Sequence, residues 1–362
     1  MTPAPGADSS NPGVPMTDNT TFDDLFDHQN EEQQRPRKKK RVWRKVLVAL
    51  LIIVILGVLG IGLYVWSVGR SFDENANQLS DEQVFGKDSA GGKEGDGTNI
   101  LLLGSDEPMG NVDVNDSRGL RSDTIMVMHL PESGGNVQIM SIPRDTYVDI
   151  EGHGKAKINA ALSYGGLPLA VSTVSDFIGT DLDHVAIIDF EGFKALTDSL
   201  GGVTVNSEQA FEKDGYTFTK GENVLNGDEA LTFVRERKQF QDGDFQRARN
   251  QQAFIRGLTN EMISADTLSN PKKIQDMVKN FAPYMYVDSG LDAKYISSTA
   301  FNMRDVRPGD IEFFTAPVAG VGTSPDGQSI VNVDEEELKK VQDAFKNDTV
   351  ADYVQNAPEA HL

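Results

Sequence analysis

Arg247 and Gln251 stand four residues apart in the run D-F-Q-R-A-R-N-Q (244 to 251), which continues into Ala253, Phe254, Ile255 and Leu258 at helical spacing. Their side chains therefore share one helix face. Arg235 and Arg237 stand two apart after the apolar residues 231–234, and an extended backbone there points both guanidinium groups the same way. Guanidinium forks at such spacings match phosphate oxygens in pairs. Upstream, Asp106 closes an apolar run, Arg121 and Asp123 open another, and Arg144 and Asp145 follow Ser141-Ile142-Pro143. Pro143 has no amide proton and cannot continue a sheet interior, so Arg144 leaves the sheet at its rim. Carboxylates without His or Cys partners suit Mg²⁺ or Mn²⁺, which take oxygen ligands and share them with a phosphate. Two plainer readings compete: a solvated charged loop around Arg235 to Gln251, and a buried salt bridge between Asp123 and Arg144. The compression of the arginines into one window of an otherwise acidic chain favours the metal-phosphate site.

The elements that must position these residues read as α/β. Strands are expected at 99–103, 124–130, 137–142, 184–189 and 311–316, and helices at 168–178, 190–200, 271–281, 293–303 and 334–345. Strands alternating with helices imply a sheet covered on both faces, with ligands beyond the strand ends. Phe190, Phe193, Leu196 and Leu200 form an apolar helical stripe. It could line a slot for a lipid tail, but such a stripe is more often ordinary core, and core is the favoured reading.

The chain of 362 residues carries 34 basic and 55 acidic side chains, a formal charge of −21; residues 71–362 alone hold 25 basic against 48 acidic, a balance of −23. Such a domain repels nucleic acid, so an anionic ligand must be held by a local arginine cluster. With no cysteine, disulfides and thiolate metal sites are excluded. The five histidines (His28, His129, His153, His184 and His361) lack metal-ligand spacing. Residues 1–45 read as a disordered cytoplasmic tail with a basic flank, and 46–66, free of charge, as a transmembrane helix with its N-terminus inside. Residues 67–97 read as a flexible linker, 98–346 as the extracytoplasmic catalytic domain and 347–362 as a loose tail.

R-S-D-T-I-M-V (121 to 127), S-I-P-R-D-T (141 to 146), K-I-N-A (157 to 160), Gly201-Gly202-Val203, L-N-G-D-E-A-L-T-F-V-R-E-R (225 to 237) and D-F-Q-R-A-R-N-Q resemble, in this order, the LytR-CpsA-Psr family of bacterial cell-wall enzymes. The resemblance implies a single α/β/α layered domain with a mixed central sheet, preceded by one transmembrane helix. It implies a phosphotransferase, a glycopolymer-peptidoglycan ligase. The donor is a polyprenyl-pyrophosphate-linked glycan, teichoic-acid-like, capsular or another wall polysaccharide; the acceptor is a peptidoglycan sugar hydroxyl, and polyprenyl phosphate is released. Asp106 and Asp123 match the residues that hold Mg²⁺ (or Mn²⁺). Arg121, Arg144, Arg235, Arg237, Arg247 and Gln251 match the pyrophosphate-binding set, with Asp123, Arg144 and Arg247 catalytic and Asp145 and Asp244 in support. Asn250 departs from the pattern, since many relatives carry another arginine there. A general base is open among Asp123, Asp145 and Asp244. Two other functions share the site, a lipid-pyrophosphate hydrolase and a non-catalytic lipid-phosphate-binding regulator of wall assembly.

Overall fold

The computed structural model describes residues 64–87, 97–105, 122–240 and 243–357, without the side chains of Asp123, Asp244, Phe245 and Pro308. All of them belong to the second of two compact units, Leu59–Leu362. The expected tail and most of the expected span, together with Asp106 and Arg121, lie outside the described residues. No helix among the described residues is long and apolar enough to cross a membrane.

The chain enters through α1 (residues 64–75), β1 (Asn77–Leu79) and α2 (Asp81–Phe85). The linker expected over 67–97 is thus corrected for 67–85. Its polar residues serve as caps and ladder groups: Ser80 and Gln83 form a capping box on α2, and Asn77 Nδ2 donates to the Pro283 and Met285 carbonyls at 2.9 and 3.1 Å. There follow β2 (Thr98–Ser105), β3 (Ser122–Leu130), β4 (Val137–Ile142) and a hairpin of β5 (Tyr147–Ile150) and β6 (Gly154–Lys157). Helix α3 (Ala160–Ile178) begins earlier than the sequence suggests, because Gly165 and Gly166 break it without ending it and Pro168 opens its second segment.

Next come β7 (His184–Asp189), α4 (Phe190–Ser199), β8 (Val203–Ser207), β9 (Phe211–Lys213), β10 (Tyr216–Phe218), β11 (Gly221–Leu225), α5 (Gly227–Arg235) and α6 (Asp244–Met262). The chain closes with α7 (Ala265–Leu268), α8 (Pro271–Phe281), β12 (Met285–Asp288), α9 (Ala293–Asn302), β13 (Ile311–Thr315), β14 (Val318–Thr323), β15 (Ser329–Val333), α10 (Glu335–Lys346) and α11 (Val350–Asn356). Helix α11 corrects the loose tail expected at 347–362, since Val350, Tyr353 and Val354 are buried against the main core.

Seven strands form one mixed sheet in the order β1-β12-β7-β2-β3-β4-β13. Pairs β7–β2, β4–β13 and β1–β12 are parallel, and the others antiparallel. Alternate residues go to opposite faces. Leu101, Leu103, Ile125, Val127, Met140 and Val185 pack beneath α3, α10 and α11, while Ile100, Met126, Ile139, Ala186 and Val287 face the other way. A separate core of Leu196, Val203, Phe211, Phe233 and Phe254 holds α4, α5 and α6 to β8 and the small strands. Where this layer meets the second sheet face, the fit is incomplete.

Candidate active site

That incomplete fit is a cavity of about 560 Å³, within the roughly 300–1,000 Å³ range of small-molecule pockets. Leu102, Met126, Met128 and Ile139 line it from the sheet, and Phe193, Leu231, Phe254 and Leu258 from the helices. Arg144, Arg235, Arg237, Arg247 and Gln251 line the same cavity. Of the stripe expected to be core, Phe190, Phe193 and Leu196 reach the cavity and only Leu200 stays wholly within the packing. The core reading holds for Leu196 and Leu200, which are buried in the cluster around Phe233 with Phe193 packed against it, and the same face also borders the cavity.

Each arginine is placed by a different device. Arg144 follows the end of β4, as Pro143 requires. Its Nε lies 3.7 Å from Asp145, which is itself held by Lys157 Nζ at 2.8 Å. Asp145 does not line the apolar cavity and turns instead into a neighbouring polar cleft. Arg235 ends α5 rather than lying on extended backbone. Only Glu236, the C-cap, is extended, because the Asn226–Glu229 capping box starts a helix that runs through the apolar residues. The Arg235 guanidinium sits over the Phe190 ring, 4.5 Å from its centre, a contact that orients a cation at an apolar wall.

Glu236, which sequence reasoning passed over, fixes the turn that carries Arg237. It is buried, and its Oε1 accepts the backbone N–H groups of Arg237, Lys238 and Gln239 at 2.9, 2.6 and 3.1 Å. Lys213 Nζ lies 3.8 Å from its other oxygen. The signal was the R-E-R triplet itself, whose central carboxylate has three amides within reach.

Arg247 and Gln251 share one face of α6, as their spacing predicts, and Arg247 is 9% exposed. Gln251 Nε2 donates to the Val234 carbonyl at 3.5 Å. Asn250 does not line the cavity. It is buried between α6 and α5, with Nδ2 donating to the Phe233 carbonyl at 3.3 Å and Oδ1 accepting from Gln246 at 3.0 Å. Arg249 pairs with Glu208 at 2.9 Å, away from the cavity lining.

Asp189, another residue without an assigned role in the sequence, lines the cavity at the end of β7 and caps α4 by accepting the Gly192 N–H at 2.9 Å. Burial, and then the charge of Asp189, raise the Tyr286 phenol above its ordinary range. Of the described histidines, His129 contacts Asn99 and Asp348, His184 contacts Asp288, and His153 stacks on Tyr164; none lines the cavity. The chain has no cysteine to offer a thiolate ligand. No group of three or more metal-ligating side chains occurs among the described residues.

A mixed sheet with an arginine-rimmed apolar cavity defines a class, and the LytR_cpsA_psr family profile matches residues 63–347. The chain belongs to this family. It is 35% identical over 244 residues to the polyisoprenyl-teichoic acid–peptidoglycan teichoic acid transferase TagU of Bacillus licheniformis, covering 67% of this chain and 76% of that one. The Enterococcus faecalis protein of the same name is 31% identical, over 86% of this chain and 98% of its own. Among solved structures, B. subtilis TagV superposes with a TM-score of 0.61 at 27% identity, covering 71% of this chain and 98% of TagV. B. subtilis TagU gives 0.51 at 31% identity, over 70% and 97%.

Proposed function

We propose that this protein is a membrane-anchored phosphotransferase. It moves a wall glycopolymer from a polyprenyl-pyrophosphate carrier to a peptidoglycan sugar hydroxyl and releases polyprenyl phosphate. The observation that carries this reading is the joining of two chemistries in one hollow, an apolar chamber for a prenyl chain and guanidinium groups of Arg144, Arg235, Arg237 and Arg247 for the two phosphates. The names of the relatives, transferases of polyisoprenyl-linked teichoic acid, support the donor and acceptor classes.

Phosphoryl transfer asks little covalent work of a protein; it asks for in-line oxygens and neutralised charge. The arginines hold the pyrophosphate and stabilise the negative charge that spreads over its oxygens. Gln251, on the same helix face as Arg247, donates an amide N–H toward the same group. Arg121 completes the pyrophosphate set, and Asp145 and Asp244 keep the arginines in place. The chamber walls draw the departing prenyl phosphate away from water. Asp106 and Asp123 would hold Mg²⁺ (or Mn²⁺), which when bound neutralises further charge on the phosphate oxygens. Residues 46–66 anchor the domain outside the cell with the N-terminus in the cytoplasm.

The test is incubation of the full chain with lipid-linked glycan, Mg²⁺ and peptidoglycan fragments. Covalent glycan on the fragments is the expected product. Release of free phosphoglycan with none on the fragments would reject transfer in favour of hydrolysis.

A further inference from the structure

Arg144 borders a second hollow. A polar cleft of about 540 Å³ lies between the β5–β6 hairpin, the start of α3 and the β14–β15 turn, with Arg144 and Asp145 at one edge. Its lining differs in kind from that of the apolar cavity. His153 and Tyr164 stack with ring centres 4.6 Å apart and planes 20° apart, and Tyr164 is 49% exposed. Around this flat aromatic step stand the Lys157 ammonium, the Asp326 carboxylate and the Gln328 amide, the last donating to Asp326 at 2.7 Å. Exposed rings next to mixed donors and acceptors suit a sugar, which has an apolar C–H face and a rim of hydroxyls.

We propose that this cleft is the acceptor subsite, holding a sugar of the peptidoglycan glycan strand with its attacking hydroxyl toward Arg144. The inference rests on the transfer reading above. In-line displacement sets the incoming oxygen opposite the leaving one. The leaving prenyl phosphate withdraws into the apolar chamber, so the acceptor must approach from another side, and among the described residues Arg144 is the arginine of the set that borders both hollows. The acceptor hydroxyl oxygen forms a bond to the phosphorus nearer the donor glycan, the bond from that phosphorus to the bridging oxygen breaks, and the hydroxyl proton ends on the departing phosphate. The donor's own glycan has separate room in a hollow of about 320 Å³ beside Arg235, Arg237, Lys213 and Lys238.

The experiment is steady-state transfer by the full chain in lipid nanodiscs, with soluble peptidoglycan oligosaccharide as the varied acceptor, for wild type, Tyr164→Ala, His153→Ala and Tyr164→Phe. Loss of the aromatic step should raise the acceptor KM about tenfold, with the donor KM and the rate of donor hydrolysis by water within about twofold of wild type. Tyr164→Phe keeps the ring and should restore the acceptor KM. An unchanged acceptor KM in Tyr164→Ala overturns the assignment while leaving transfer standing. A rise confined to the donor KM overturns it too, giving the cleft to the donor's glycan. Should wild type fail to ligate at all, oligosaccharide binding followed by NMR separates the two readings: Tyr164-dependent binding keeps the cleft as a glycan site and removes the transferase, and binding indifferent to Tyr164 removes both.

Discussion

Arg247 enters the cavity from the first turns of α6 at 9% exposure, where water screens its charge little. A charge-assisted hydrogen bond from such a group contributes about 1.5–3 kcal/mol, and removing one donor aimed at developing charge costs about 10²–10³ in rate. Arg247→Ala and Arg144→Ala should therefore each lower kcat for glycan transfer by at least about a hundredfold, with melting temperatures within about 4 °C of wild type. Transfer kinetics and calorimetry on the same preparations check both halves. Leu258 lines the same cavity from α6. Leu258→Trp fills part of the apolar chamber, and expelling even one methylene of the prenyl chain costs about 0.8 kcal/mol, a factor of about four in donor KM. The expected outcome is a raised donor KM at nearly unchanged kcat; a wild-type KM would place the prenyl chain elsewhere.

The helices α5 and α6 carry Arg235, Arg247 and Gln251, and their contacts explain what sequence alone conveys. Gly257 of α6 crosses β8 so closely that an added Cβ would collide with the Thr204 carbonyl oxygen. Alanine gains about 1 kcal/mol of helix propensity over glycine, but overpacking against backbone that cannot swing aside costs about 1–3 kcal/mol. Gly257→Ala should thus lower the melting temperature by a few degrees and reduce activity through displacement of α6. The Arg247–Gln251 spacing was legible because a helix face follows from sequence separation alone. The backbone at Arg235 was not: the apolar residues 231–234 fit strand and helix equally, and the capping box at Asn226 decided for helix. Residues 77–79 and 350–356 were misread as linker and tail because their polar composition hides a sheet-edge pairing with β12 and the burial of Val350 and Val354 against α10 and β13. Glu236 and Asp189 escaped notice since their work, accepting backbone amides, depends on turn geometry rather than on a motif.

At the scale of the whole molecule, 55 acidic residues outnumber 34 basic ones, and some carboxylates carry a cost. Asp183 ties the start of β2 to β7, accepting the Asn99 N–H at 2.7 Å, yet burial raises its pKa above the ordinary 3.8 despite that bond. A carboxylate whose folded pKa is raised binds its proton more tightly in the native state. The penalty for ionising it is absent below about 3.8 and grows as pH rises through the elevated folded value. Asp183→Asn keeps an acceptor for Asn99 and removes the charge, so its melting temperature should exceed that of wild type at pH 7 and converge with it near pH 3.8. Guanidinium groups and apolar walls meet in one chamber. Electron density for the full chain crystallised with a prenyl pyrophosphate would show whether one ligand uses both. Both phosphates are expected within hydrogen-bond distance of Arg144, Arg235, Arg237 and Arg247, with the prenyl chain running between Met128 and Leu258. Phosphates bound away from these arginines, or a chain lying outside the cavity, would contradict this placement.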